Sequence, residues 1–292
     1  MQKTKLLKSL IKKGKTIVMP GAYDCFSAKI IEKIGFEAIY LTGYGCEASM
    51  LGKPDMGFTQ MNDVVDLARR MALAVDLPII VDADLGFGGT LSITRTVEEF
   101  ERSGVAGIHI EDQAIPLKCA GMPGLKFIST EEMCMRIKAA VAARRDPDFL
   151  IIGRSDIFAP THDYEGTVKR LQAYEDAGAD LLIAGGSFNE EQLVDLCKQF
   201  PHKICINCGL SVWKESMLPI ATYEKMGAAM LFYALAGLTA AGKAINEVYS
   251  KLQGGELSEE YLAENTLGMR KVEAIVDYPK YIEIEKKFTL EK

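Results

Sequence analysis

Eight short runs of β-branched and apolar residues recur down this chain. They constrain its fold more than any other feature. They span Thr16–Met19, Ala38–Gly43, Pro78–Asp84, Gly107–Asp112, Phe149–Asp156, Leu181–Gly186, Lys203–Gly209 and Met230–Ala234. Most are continuous rather than alternating, the pattern of strands covered on both faces, as in a parallel sheet. Between them, Asp63–Val75, Val97–Arg102, Thr130–Arg144, Gly166–Ala177 and Glu190–Gln199 carry apolar residues at helical spacing. Gly35, Gly104, Gly178 and Gly227 each fall just before the next strand, where glycine suits the left-handed end of a helix. Eight strand–helix units between residues 16 and 234 predict an α/β fold, a (β/α)8 barrel of the TIM type. The rival is an open doubly wound sheet. It is disfavoured because no G-x-G-x-x-G follows the first strand. Gly86-Phe87-Gly88-Gly89 lacks that spacing and reads as a loop where backbone approaches a ligand.

No linker or repeat divides the 292 residues, so one domain is expected over 1–292. The charged helical segment from about Ala240 to Lys292 is surplus to a closed barrel and is expected to pack on a neighbouring subunit. With 48% hydrophobic and 25% charged residues, the chain can bury a core, which excludes intrinsic disorder. A net charge of -6 excludes a general nucleic-acid binder. No apolar run reaches the roughly 18 residues of a membrane span. Six of the first fifteen residues are lysines, interleaved with Leu6, Leu7, Leu10 and Ile11, which predicts a surface helix with a solvated basic face. No signal-peptide core follows, so a cytoplasmic protein is expected. The seven cysteines are odd in number and irregularly spaced, against a disulfide framework. Cys205 and Cys208 lie three apart in a strand-like run and read as buried small hydrophobes rather than a zinc or redox pair.

In such a barrel the active site lies at the C-terminal ends of the strands. Those ends collect Thr42-Gly43-Tyr44, Asp82-Ala83-Asp84, His109-Ile110-Glu111-Asp112, Arg154-Ser155-Asp156 and Asn207. Buried charges are costly singly, so the cluster implies a neutraliser. Asp82 and Asp84, two apart and so on one side of the strand, together with Glu111 and Asp55, predict a site for Mg2+ or Mn2+, both of which favour hard oxygen ligands. Zinc is disfavoured, since paired His or Cys ligands are missing. The alternative for these acids is helix capping or pairing with Arg154. Arg154 offers a fork for a substrate carboxylate, or an ion pair with Asp82, Asp84 or Glu111. The Thr42-Gly43-Tyr44 turn offers backbone N–H groups as a carboxylate cradle. His109 reads equally as a catalytic or a satisfied buried histidine. Asn207 reads as a donor to substrate or as a rim partner. The Gly- and Pro-rich loop Ala114–Gly124 reads as a mobile lid. On it, Cys119 beside Lys118 is either a proton carrier with a lowered pKa or an inert thiol.

Pro20-Gly21-Ala22-Tyr23-Asp24, Tyr40-Leu41-Thr42-Gly43, Asp82-Ala83-Asp84-Leu85-Gly86-Phe87-Gly88, His109-Ile110-Glu111-Asp112-Gln113 and Arg154-Ser155-Asp156 resemble, in order, the isocitrate lyase/phosphoenolpyruvate mutase superfamily. The resemblance implies a barrel that swaps its last helix between subunits, usually in a homotetramer. It implies Mg2+ held by Asp84, with Asp82, Asp55 and Glu111 around it. It implies a 2-hydroxy or 2-oxo acid facing Tyr40, Thr42, Gly43, Tyr44, Asp82, His109, Arg154 and Asn207, with Cys119, Lys118 and Arg154 as catalytic candidates. Members cleave or form C–C bonds, decarboxylate oxaloacetate or rearrange P–C bonds, all through an enolate. The methylisocitrate-type lyases carry Lys-Lys/Arg-Cys-Gly-His on the lid, where this chain has Leu117-Lys118-Cys119-Ala120-Gly121. A lyase glutamate at the end of strand six is Gly185 here, and the acidic residue usually close behind Asn207 is missing. The expected activity is a Mg2+-dependent C–C lyase on a substituted malate or methylisocitrate-like acid. A decarboxylase or phosphonate enzyme, and a keto-acid-binding barrel without catalysis, are the alternatives.

Overall fold

The computed structural model describes residues 2–208 and 217–289. Eight parallel strands close into a barrel: β1 (Ile17–Ala22), β2 (Ile39–Leu41), β3 (Ile79–Asp82), β4 (Gly107–Glu111), β5 (Leu150–Ser155), β6 (Leu181–Ala184), β7 (Ile204–Asn207) and β8 (Met230–Tyr233). Pairing of Ile17 with Met230 and Pro20 with Tyr233 completes the ring. The expected fold is therefore observed. Strand limits move by at most three residues. The last residue expected in β7, Gly209, lies outside the described residues.

Side chains alternate across each strand and divide the apolar residues into two cores. Ile39, Leu41, Ile79, Val81, Ile108, Ile110, Ile151 and Leu231 face the surrounding helices. Tyr40, Ile80, Ile152, Ile183, Cys205, Met230 and Phe232 fill the interior. Cys205 and Cys208 are both buried and face opposite cores, as expected. The glycines expected at helix ends hold positive φ, from +83° at Gly227 to +106° at Gly178.

The helix Lys3–Lys12 does more than lie on the surface. Leu7 and Leu10 are buried in the interior core and close the N-terminal end of the barrel. Two of its lysines are engaged rather than solvated. The Lys3 ammonium donates to the carbonyls of Ala72 and Val75, at the end of the helix Met61–Ala74, where a cation suits the exposed carbonyls. Lys8 pairs with Asp148 at 3.0 Å. The helix Ala236–Gln253 has no buried residue, and Ile245, Tyr249 and Leu252 on it are exposed. Among the described residues no helix is long and apolar enough to cross a membrane.

Leu7 is fully buried at the mouth of a packed interior. Leu7→Ala is expected to cost ~2–5 kcal/mol, the usual range for a large-to-small core change. Urea unfolding checks this, and a loss well under 1 kcal/mol would show that the helix is dispensable to the barrel.

Candidate active site

The interior face of each strand ends in a different chemistry. Two residues beyond Ile80 stands Asp82, two beyond Ile152 stands Arg154, and two beyond Cys205 stands Asn207. His109 and Glu111 follow Gly107 on the same face of β4. Register sets Asp82 beside His109 and Glu111 beside Arg154. Apolar filling thus gives way to a polar rim at one end of the barrel. Over it lies a cavity of about 80 Å³, lined by Tyr40, Thr42, Tyr44, Asp55, Asp82, Cys119, Arg154 and Asn207, with Phe232 and Leu235 on its apolar side.

Four carboxylates gather here. Asp84 sits in the left-handed region at φ +48°, and its backbone N–H donates to Asp82 Oδ1 at 3.1 Å. Gly43 lies against both acids: a β-carbon there would stand 2.9 Å from Asp82 Oδ2 and 3.2 Å from Asp84 Oδ1. Burial and the neighbouring Asp82 charge push the Asp55 carboxyl up to about 7. The same causes, with Asp55 and Glu47 added, push Asp84 well above the usual carboxylate range. Burial also raises Glu111, against the pull of Arg154. Such a surplus of buried negative charge fits a cation with hard oxygen donors. Among the described residues no three ligating side chains already surround one point. Mg2+, which keeps several waters, is compatible with that spacing.

Among the described residues Arg154 is the one guanidinium on the cavity wall. Its fork is already engaged. Nε and Nη2 donate to Asp156 Oδ1 and Oδ2 at 2.8 and 3.0 Å, and Nη1 lies 3.1 Å from Glu111 Oε2. Asp82 stands at 4.0 Å and Asp84 is not a partner. The chief ion-pair partner is therefore Asp156, which was not among the residues named for this role. Two of the five N–H groups of a guanidinium are used in hydrogen bonds to Asp156, and Nη1, in ion-pair contact with Glu111, still has N–H groups to offer a substrate. Asp156 is fully buried and also accepts from Gln113 Nε2 at 2.9 Å. Its position accounts for Gly185: a β-carbon at 185 would fall 1.8 Å from Asp156 Oδ1. Asp112 fixes this segment from below, accepting from Ser155 Oγ at 2.6 Å, Tyr174 at 2.7 Å and the Asp156 N–H at 3.0 Å.

Three other placements differ from expectation. His109 does not line the cavity. It lies fully buried, its Nε2 2.8 Å from the Tyr40 hydroxyl, and burial holds its pKa down to about 4, so the ring is neutral. Its Nδ1 has no hydrogen-bond partner among the described residues. Thr42-Gly43-Tyr44 is no open turn: Thr42 caps the short helix Gly43–Cys46, its Oγ1 accepting from Gly45. Lys118 points away, its ammonium donating to the Pro123 carbonyl at 3.1 Å. Cys119 consequently has no lysine to lower its pKa. Burial and the Asp55 charge raise the thiol to about 11. Asn207 and Tyr40 stand on the cavity wall as expected.

The comparisons decide the family. The sequence matches the phosphoenolpyruvate phosphomutase family over residues 7–253. It is 37% identical over 250 residues to 2,3-dimethylmalate lyase of Eubacterium barkeri, covering 86% of each chain. The chain belongs to the PEP mutase/isocitrate lyase superfamily. It is also 37% identical over 239 residues to 2-methylisocitrate lyase of Shewanella oneidensis, covering 82% of this chain and 81% of the relative. Among solved structures, oxaloacetate acetylhydrolase bound to the inhibitor 3,3-difluorooxalacetate superposes with a TM-score of 0.90 at 30% identity, over 98% of this chain and 97% of that one. As a superfamily of C–C lyases, mutases and hydrolases of small acids, this group frames the chemistry.

Gly185→Ala tests the link between Gly185 and Asp156. The added methyl displaces the Asp156 carboxylate from Arg154, with an expected loss of ~1–3 kcal/mol typical of overpacking. Denaturant unfolding measures it; undiminished stability would mean Asp156 has another place to go.

Proposed function

We propose that this protein is a Mg2+-dependent carbon–carbon lyase acting on a small 2-hydroxy dicarboxylate such as a substituted malate. The observation that carries the reading is a single cavity that joins the carboxylates Asp55 and Asp82, the guanidinium of Arg154 and the thiol of Cys119. The likeness to lyases of dimethylmalate and methylisocitrate supports the reaction class. The difluorooxalacetate complex of a relative supports the substrate size and charge.

Asp84, Asp82, Glu111 and Asp55 would hold the ion, directly or through water. Bound there, Mg2+ supplies Lewis-acid polarisation of a substrate oxygen. The protein's own groups do the rest. The remaining N–H groups of Arg154 and the leading amides of the helix capped by Thr42 bind substrate carboxylates and take up developing negative charge. The 2-hydroxyl gives its proton to a base, and the adjacent C–C bond breaks to leave a 2-oxo acid. The electron pair passes to the α-carbon of the departing acid as an enolate, and Cys119 Sγ–H protonates that carbon. A thiol held protonated by burial suits an acid rather than a nucleophile. Tyr40 and the neutral His109 brace Asp82 from behind. Phe232 and Leu235 face the alkyl part of the substrate.

Cys119→Ala is expected to cut turnover ~10²–10⁴-fold, the range for loss of a positioned proton donor, with cation binding kept. A panel of 2-hydroxy and 2-oxo acids, assayed with Mg2+ and again with EDTA, reads the products. Pyruvate or glyoxylate with a second organic acid supports the lyase. CO2 or phosphate instead supports a decarboxylase or a phosphonate enzyme. Unchanged turnover removes Cys119 from the mechanism.

We also infer a homo-oligomer in which the helix Ala236–Gln253 packs on a second copy. Beside that helix runs an apolar trough of about 670 Å³, lined in part by Phe26, Ile30, Ile34, Ile220 and Tyr233. An unpartnered helix face and an open trough on one chain are what an exchanged helix would leave. Light scattering is expected to give a multiple of 32.1 kDa, and Ile245→Asp with Tyr249→Asp to reduce it. A monomer in the unaltered protein would refute this.

A further inference from the structure

The buried carboxylate of Glu47 takes no part in the chemistry above. Glu47 opens the π-helical turn Glu47–Leu51 and is 2% exposed. Its Oε2 accepts the N–H of Met56 at 2.8 Å. Its Oε1 accepts the N–H groups of Phe58 and of Thr59, the latter at 3.0 Å. A carboxylate that gathers three amides this way fixes a segment in which the N–H groups of Met56, Phe58 and Thr59 have no backbone acceptor among the described residues. The segment is 52–60, and Asp55 stands on it.

The same segment receives the loop that follows β4. The Asp55 carbonyl accepts the N–H of Cys119 at 2.9 Å. Leu117, nearly buried, lies over Gly57, where a β-carbon would stand 3.2 Å from Leu117 Cβ. Gly57 is at φ +75°, so both its conformation and its lack of a side chain serve this contact. Glu47 thus lies beneath a surface on which Asp55, Gly57, Leu117 and Cys119 meet.

We propose that Glu47 is a positioning residue that holds segment 52–60 as the seat of the lid, and so sets where Asp55 and Cys119 meet across the cavity. The consequence for catalysis rests on the reading of those two residues given above; the seat itself does not.

The test uses the full-length protein without metal or substrate, so its result is independent of the activity panel. Hydrogen exchange is followed across the chain, and Cys119 alkylation by iodoacetamide is followed by peptide mass spectrometry, in the unaltered protein, Glu47→Ala and Glu47→Gln. In Glu47→Ala, exchange in 52–60 and alkylation of Cys119 are expected to rise about tenfold or more, while the barrel strands keep their protection. Glu47→Gln retains an oxygen for Phe58 and Thr59 and is expected to fall between. Should Glu47→Ala fail to fold, the same comparison in Glu47→Gln decides. Unchanged exchange and alkylation overturn the assignment, and so does faster exchange spread evenly over the strands.

Discussion

Arg154 sits where β4 and β5 pair, and its guanidinium spans Glu111 across the strand pair and Asp156 two residues along its own chain. All three side chains are nearly or fully shielded from water. Charges so placed tolerate burial only together, and removing one strands the others at a cost of ~3–5 kcal/mol. The contact reaches further than the pair. Asp156 also accepts from Gln113, whose Oε1 accepts the backbone N–H of Lys118 at 3.3 Å. One guanidinium therefore couples the floor of the cavity to the first turn of the loop that covers it.

The rest of the rim is unbalanced by design of the strands. Alternation puts every second residue into the barrel, and apolar filling stops one layer short of the end. Asp82, Glu111 and Arg154 then face one another in space too narrow for bulk water. Raised carboxyl pKa values at Asp55, Asp84 and Glu111 are the electrostatic signature of that crowding. Perturbation of this kind concentrates where proteins do chemistry, because folding alone gains nothing from it. The stability comes from elsewhere, from the outer core between sheet and helices and from the plug formed by Leu7 and Leu10.

The strands were legible because burial on both faces leaves a continuous apolar run that few other elements produce. Their ends were not, since pairing stops where the site begins: Gly43 starts a helix and Asp84 turns left-handed. β1 runs on through Pro20 and Gly21, past the expected end at Met19, because Pro20 pairs with Tyr233 of the closing strand and Gly21 is packed against the Ala234 backbone. The residue types of the site, Asp82, Asp84, Glu111, Arg154 and Cys119, were visible from their place at strand ends and on the following loop. Which of them touch was not. Asp156 reached Arg154 through a rotamer, Lys118 turned outward for want of a carboxylate, and Glu47 lies in a segment whose sequence shows no periodicity. Contacts set by side-chain direction leave no trace in spacing.

Two departures from the lyase pattern, Gly185 and Leu117, have a packing partner in this chain. Gly185 vacates the volume that Asp156 occupies, so Arg154 keeps a carboxylate although strand six supplies none. Leu117 stands where the lyases have a lysine and packs over Gly57, on the wall of a cavity that Phe87 and Ile128 share with Asp84 and Gln113. A barrel that had lost its chemistry would be under no pressure to compensate these changes one by one. Packing at both accords with the proposed enzyme, its walls adjusted to a different small acid while the carboxylates, the guanidinium and the thiol stay on one cavity.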